Sequence, residues 1–398
     1  MKYKVISIMY ALFALFIALS IIVFPQPVLE ASKRGIEMWA SVVFPSLLPF
    51  FIVAELFIAF GVVHFIGVLF EPIMRPLFNV PGVGGFVWAM GMASGYPAGA
   101  KFTVRLRQEN QLTKIEAERL VSFTNASNPL FIIGAVSIGF FHDQQLGILL
   151  AITHYCSNFL VGICMRFYRR NTRSTTKKNQ FSIKKAFERL HETRMNDNRP
   201  LGKVLGDAII HSIHTLLLIG GFITLFSVLT RIFQEVNILF ILSKSLGVIL
   251  DFLQLPVELA PAFLSGLFEI TLGAQEIALA ENNSVLIQAI LLSFILAFNG
   301  LSVQAQVASL LAETDIRFLP YFFARLLHGL FASILVIILF KPTYTANNNK
   351  ETLPVWSQYI TDQTSTIYVV FQESGMFITI ISLVLFIILN IYIKPTHN

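Results

Sequence analysis

Glu55, Glu269 and Arg325 stand inside long apolar runs of this sequence, as do His154, His211, His214 and His328. An ionisable side chain in a hydrocarbon layer costs about 2.5–3.5 kcal/mol on insertion scales, so each needs a function or a partner. The guanidinium of Arg325 can hold a carboxylate through two parallel hydrogen bonds. A carboxyl such as Glu55 or Glu269 can carry a proton or bind Na+, coupling an ion to a solute. A structural ion pair of Arg325 with Glu55 or Glu269 is the competing reading. His211 and His214 are three apart, hence on one helix face, and contact with headgroups or water accounts for them. Enzyme chemistry finds little support. The HExxH and GxSxG patterns are absent, and Gly95-Tyr96-Pro97-Ala98-Gly99-Ala100-Lys101-Phe102-Thr103 lacks the GxxxxGK[ST] spacing of a phosphate loop. The chain is therefore read as a non-enzyme with no cofactor or metal, and an ATP-driven pump is disfavoured.

Polar residues gather where apolar runs are interrupted. Gly91-Met92-Ala93-Ser94-Gly95-Tyr96-Pro97-Ala98-Gly99 and Ser122-Phe123-Thr124-Asn125-Ala126-Ser127-Asn128-Pro129-Leu130 lie in the first half, 269–275 and 299–304 in the second. Pro97 and Pro129 remove backbone donors and favour new helix starts, whose free N–H groups and positive dipole ends suit an anion. Gly95 and Gly99 let a ligand approach the backbone. A packing kink explains one such motif as well as a site does, but four paired interruptions favour a site. The candidate substrate-binding residues are Ser94, Gly95, Tyr96, Asn125, Ser127, Asn128, His154, Asn299, Ser302, Gln304 and Arg325. Glu269 and Glu55 are the candidate coupling groups, for a proton or Na+. A lone Asn128-Pro129 fails to give the matched Asn-Pro half-helices of a water channel.

These residues must be positioned by membrane helices. The 398 residues are 55% hydrophobic and 13% charged, with a mean hydropathy of +0.70, whereas soluble domains carry about 25% charged residues. Spans of about 20 apolar residues are expected near 5–24, 36–60, 116–141, 146–168, 207–233, 285–312, 316–340 and 376–393. Segments 83–107 and 258–281 are too interrupted for plain spans and are predicted to be re-entrant hairpins or broken helices. Lys2 and Lys4 precede a run too long for a signal peptide, with no cleavage site after it, so the first helix is read as retained. Cys156 and Cys164 share one apolar stretch and read as small core residues.

Residues 166–207 hold twelve Lys or Arg against four Asp or Glu, while 342–375 hold one basic residue and three acidic ones. The positive-inside rule puts the first loop, 101–115 and the N-terminus in the cytoplasm and the turn at His142 outside. The net charge of +6 thus sits in membrane-flanking loops, which argues against nucleic-acid binding. The basic loop reads as a solvated linker that sets topology.

Segments 122–130 and 293–301 share five identities at an offset of 171. The flanking order repeats too: an apolar helix, a short amphipathic piece (62–78 or 236–255), an interrupted segment, a broken helix and a closing helix. Two copies with an odd number of spans must be inverted relative to each other, the design of secondary transporters. The expected organisation is an N-terminal helix and connection (1–35), repeat A (36–168), a cytoplasmic basic loop (169–206), repeat B (207–341), and an extracytoplasmic loop with a C-terminal helix (342–398). The fold expected is all-α, integral to the membrane, with an inverted-repeat transporter architecture.

At the same interruptions the chain resembles the sporulation integral membrane proteins of the YlbJ or SpoVV type, which carry the Gate (nucleoside-recognition) domain. The resemblance rests on Phe44-Pro45-Ser46-Leu47-Leu48-Pro49-Phe50-Phe51, on 92–100 and 122–132, and on Gly266-Leu267-Phe268-Glu269-Ile270-Thr271-Leu272-Gly273 and Phe298-Asn299-Gly300-Leu301-Ser302. It implies an architecture similar to concentrative nucleoside transporters. It also implies a mother-cell protein in the outer forespore membrane that moves dipicolinate, a planar aromatic dianion, toward the spore. Nucleoside uptake is the alternative within transport. A membrane scaffold acting through the 169–206 or 342–375 loop is the alternative from another class. Oligomeric state, driving ion and direction stay open.

Overall fold

The computed structural model describes residues 2–169, 183–197, 199–280 and 283–345. The expected C-terminal helix at 376–393 and most of the loop before it lie outside the described residues. Every regular element among the described residues is helical. Five helices are long and apolar enough to cross a bilayer: Val5–Val23, Gln144–Met165, Leu201–Glu235, Val285–Leu311 and Phe318–Tyr344.

In chain order the elements are α1 (Lys2–Val23), α2 (Pro25–Met38), a π turn, α3 (Phe44–Ala59), α4 (Val62–Phe78), α5 (Val83–Ser94), α6 (Ala98–Gln108) and α7 (Lys114–Thr124). A π-helical segment (Leu130–Phe140), α8 (Gln144–Met165), α9 (Ile183–Asn196), α10 (Leu201–Glu235) and α11 (Ile238–Phe252) follow. After a short 3-10 turn come α12 (Ala260–Phe268), α13 (Ile270–Ala278), α14 (Val285–Phe298), α15 (Gly300–Leu311) and α16 (Phe318–Leu339). Both interrupted segments are helical hairpins, α5–α6 and α12–α13. The span expected over 285–312 is broken at Asn299, whose φ of 67° is left-handed.

Three expectations need correction. The segment 116–141 has the break expected of it, with α7 ending at Thr124, residues 125–128 non-helical and the chain resuming as the π-helical segment, but its first half is not an apolar half-span. α7 itself is charged, and Glu116, Glu118 and Arg119 are all buried. It starts at a capping box in which Thr113 and Glu116 satisfy each other's backbone N–H groups. Arg75 and Arg317 neutralise its carboxylates, at 2.7 Å from Glu116 and 2.8 Å from Glu118, while Arg119 donates to the carbonyls of Asn79 and Tyr168. Second, the basic loop is not wholly a solvated linker. Its α9 lies against α4, with Ala186 fully buried and Phe187 edge-on to Phe65 at 5.0 Å. It covers the 84° bend between α3 and α4, where Gly61 has φ 77° and a Cβ would come within 2.7 Å of the Leu190 carbonyl oxygen. Third, Cys156 and Cys164 are exposed on the outer surface of α8 rather than in the core.

α16 packs against α14, α8 and α7, and α10 against α2, α3 and α15. The hairpins come close to their neighbours through glycine. A methyl at Gly91 or Gly99 would overlap the Thr124 carbonyl oxygen at the end of α7, and one at Gly273 would overlap the Gly266 backbone inside the second hairpin. Gly99→Ala and Gly273→Ala are therefore expected to destabilise by about 1–3 kcal/mol. Gly221→Ala is the control, because nothing lies within 4 Å of its Cβ position. Thermal unfolding in detergent checks this; equal melting of Gly99→Ala and Gly221→Ala would show that the approach is not tight.

Candidate functional site

The hairpin tips meet the helix breaks. Asn128, in the first break, donates from Nδ2 to the Ser94 carbonyl at the tip of the first hairpin (2.9 Å) and accepts from the Phe131 N–H (2.7 Å). Gly95 at that tip has φ 89°, and its Cβ position lies 3.0 Å from the Asn128 amide. In the second half, Gly300 at the break faces the carbonyl oxygens of Gly266 and Phe268 at the other tip. Tyrosine hydroxyls are among the contacts that join the halves. Tyr96 donates to the Leu296 carbonyl at 2.5 Å, and the Tyr321 hydroxyl accepts from both Asn125 and Asn299 at 2.7 Å each.

A cavity of about 720 Å³ opens at this meeting point. Ser94, Gly95, Tyr96, Ser127 and Asn128 line it from the first half, and Glu269 and Ser302 from the second. Its wall also includes the first residues of the π-helical segment (Leu130, Phe131), of α13 (Ile270 to Leu272) and of α15 (Ser302, Val303). The starts of α6 and α15 receive no side-chain cap, so the start of α15 and the tip before α6 leave positive dipole ends beside the space. Ser94 Oγ is buried and has no hydrogen-bond partner in the protein. Glu269 accepts from the Leu272 N–H at 2.9 Å and caps α13.

Asn125, Asn299, Gln304, His154 and Arg325 do not line the cavity; they stand behind its wall. Arg325 is 0% exposed. It donates to the Asn125 carbonyl (2.8 Å), the Ser122 carbonyl, Asn158 Oδ1 (3.2 Å) and His328 Nδ1 (3.0 Å). Because His328 Nδ1 accepts, its Nε2 carries the proton and donates to the His154 carbonyl at 2.9 Å. His154 Nε2 accepts from the Ser127 N–H at 3.1 Å, which steadies the break from behind. Gln304 donates to the Phe298 carbonyl at 2.8 Å. The charge of Arg325 is thus met by carbonyls at the negative end of α7, and no carboxylate pairs with it among the described residues. The Arg325 ion pair weighed from the sequence is absent there. Glu55 lies elsewhere, 3.3 Å from Lys101.

Gln275, at the end of the interruption marked over 269–275, and Gln306, beyond the one marked over 299–304, also line the cavity; Gln306 follows Ser302 by one turn, and helical spacing marks it. Tyr321, which ties the two breaks together, carried no signal, being an aromatic residue in an aromatic run.

The profile of the Gate family, described as nucleoside recognition, matches residues 40–141, which carry α3, the first hairpin and the first break. Over 347 residues the chain is 55% identical to the sporulation integral membrane protein YlbJ of Bacillus subtilis (strain 168), covering 86% of this chain and 85% of that protein. This chain belongs to the YlbJ family of sporulation integral membrane proteins. No solved structure matches it. In this YlbJ family member the Gate match accounts for one side of the cavity, and the second hairpin and second break supply the other.

Proposed function

We propose that the chain is a membrane carrier for a small aromatic anion, dipicolinate, moved from the mother cell toward the forespore during sporulation. One observation carries the reading: a cavity at the junction of two hairpin tips and two helix breaks, lined by residues of the first turns of the π-helical segment, α13 and α15. About 720 Å³ accommodates a single-ring dicarboxylate, and dipole ends with the free Ser94 hydroxyl suit its carboxylates. The long helix, angled helix, hairpin, broken helix and closing helix that run through α3 to α8 recur through α10 to α16. We read these as inverted repeats that alternate access to the cavity, similar in plan to concentrative nucleoside transporters. The reading includes a cytoplasmic N-terminus, residence in the outer forespore membrane, and a proton or Na+ coupled through Glu269.

The test is flux of labelled dipicolinate into liposomes holding the purified protein, with a nucleoside as competitor. Uptake that a nucleoside leaves untouched supports the reading. Nucleoside uptake without dipicolinate uptake would favour the rival, for which the Glu269 carboxylate and the Gln275 and Gln306 amides in the lining would meet ribose hydroxyls. Ser94→Ala sharpens the test. Its hydroxyl has no partner in the protein, so thermal stability should hold, while loss of a hydrogen bond to a charged ligand group should raise KM about tenfold or more. An unchanged KM would remove Ser94 from the site.

A further inference from the structure

Leu47, Phe51 and Glu55 follow at i, i+4 and i+8 on one face of α3. Leu47 lines the central cavity, whereas Glu55 lines a second cavity of about 460 Å³. α10 repeats this arrangement: Ala208 and His211 line the second cavity, and Ile219 and Ile223 the first. In the first hairpin Tyr96 lines the first and Arg105 the second, with Lys101 one turn before Arg105. At a rise of 1.5 Å per residue, Leu47 and Glu55 are about 12 Å apart. The two cavities are consecutive stations along one seam of α3, the first hairpin and α10. Thr193 of α9 joins the rim of the second, on the side of the basic loop. There Arg199, hydrogen-bonded to Asp197, holds that carboxyl down at about 2, so the rim stays charged.

The barrier between the stations combines rings with a buried ion pair. Lys101 Nζ lies 3.3 Å from Glu55 Oε1, with side chains 8% and 7% exposed. It sits 4.3 Å above the Phe51 ring and makes no aligned hydrogen bond. Phe51 meets Phe102 edge-on at 6.0 Å, both fully buried. His211, half exposed, stands 4.0 Å from the other Glu55 oxygen. A simple packing contact needs no ammonium here. A buried pair whose hydrogen bonds are incomplete is readily exchanged for another carboxylate or for water.

We propose that the second cavity is the opposite mouth of the path through the central cavity, and that the Lys101–Glu55 pair with Phe51 is the gate between them. This rests on the carrier reading for what passes, but the gate itself is testable without cargo. Leu216 is fully buried in the same cluster as Phe51 and Phe102. In a Cys156→Ser, Cys164→Ser background, Leu216→Cys gives a thiol within the seam, to be labelled by a membrane-impermeant thiol reagent. Adding Lys101→Met alone leaves the Glu55 carboxylate buried and unpaired, which penalises the closed seam, whereas removing both charges together would not. Labelling is expected to quicken about tenfold, equal to a shift of about 1.4 kcal/mol toward the open seam. Glu55→Asp, which draws the carboxylate back from Lys101 by one methylene, should move the rate in the same direction if Lys101→Met does not accumulate. An unchanged rate overturns the gate, whatever the flux assay gives. A responsive rate in a chain that moves no dipicolinate upholds the gate and removes the cargo.

Discussion

Arg325→Met should unfold this protein's midsection rather than weaken cargo binding alone. The guanidinium is fully enclosed and answers the carbonyls of Ser122 and Asn125, Asn158 Oδ1 and His328 Nδ1. Removing it strands these acceptors in the buried interior and leaves the negative end of α7 uncompensated. A buried acceptor left unsatisfied costs about 1–3 kcal/mol, and breaking a buried charged network about 3–5 kcal/mol, so the total expected is about 3–5 kcal/mol. Arg325→Lys should recover little, because a compact ammonium cannot span acceptors contributed by α7, α8 and α16. Thermal unfolding in detergent measures the loss. If Arg325→Met melted with the parent and lost only dipicolinate binding, Arg325 would be a cargo anchor after all, and its hydrogen bonds incidental.

Arg325 also shows how much of the site could be read from the sequence. The interruptions at Ser94, Asn125 to Asn128, Glu269 and Asn299 are legible because glycine, proline and polar residues inside an apolar run force the backbone to leave the helix. They come together around one cavity, in the two hairpin tips and two breaks. Two of the four partners of Arg325 are backbone carbonyls, which every residue carries, so nothing in the sequence distinguishes a buried counter-charge from a ligand anchor. Lys101 escapes a sequence reading for a related reason. With Arg105 and Arg107 it counts as a loop charge, yet α6 turns it inward against Glu55 and the Phe51 ring. Helical spacing alone separates it from Arg107, which faces outward to Asp315 at 2.9 Å. α7 is hidden by averaging: the apolar π-helical segment that follows raises the hydropathy of 116–141 enough to mask three buried charged residues.

Glu269→Gln should abolish uphill accumulation while leaving downhill exchange of dipicolinate intact. Glu269 is the carboxylate at the second hairpin tip and lines the cavity without a basic partner among the described residues. Capping α13 requires only an acceptor, which glutamine supplies, so the hairpin should keep its shape. The negative charge is a different matter. Two like unit charges about 6 Å apart repel by about 3 kcal/mol at an effective dielectric of about 20, and on the proposed function dipicolinate would bring two carboxylates into the same space. The loaded cavity therefore favours Glu269 neutralised by a proton or a cation, and the empty one tolerates it charged beside the α13 dipole. That difference is a coupling free energy: binding of the anion favours binding of the cation, and the reverse. The amide introduced by Glu269→Gln is neutral in both states, so flux should continue down a dipicolinate gradient and cease to respond to an imposed proton or Na+ gradient. Liposome uptake with and without each ion gradient reads this directly. Gradient-driven accumulation by Glu269→Gln at the parental level would reduce Glu269 to a helix cap, and the coupling ion would then have to act elsewhere along the path.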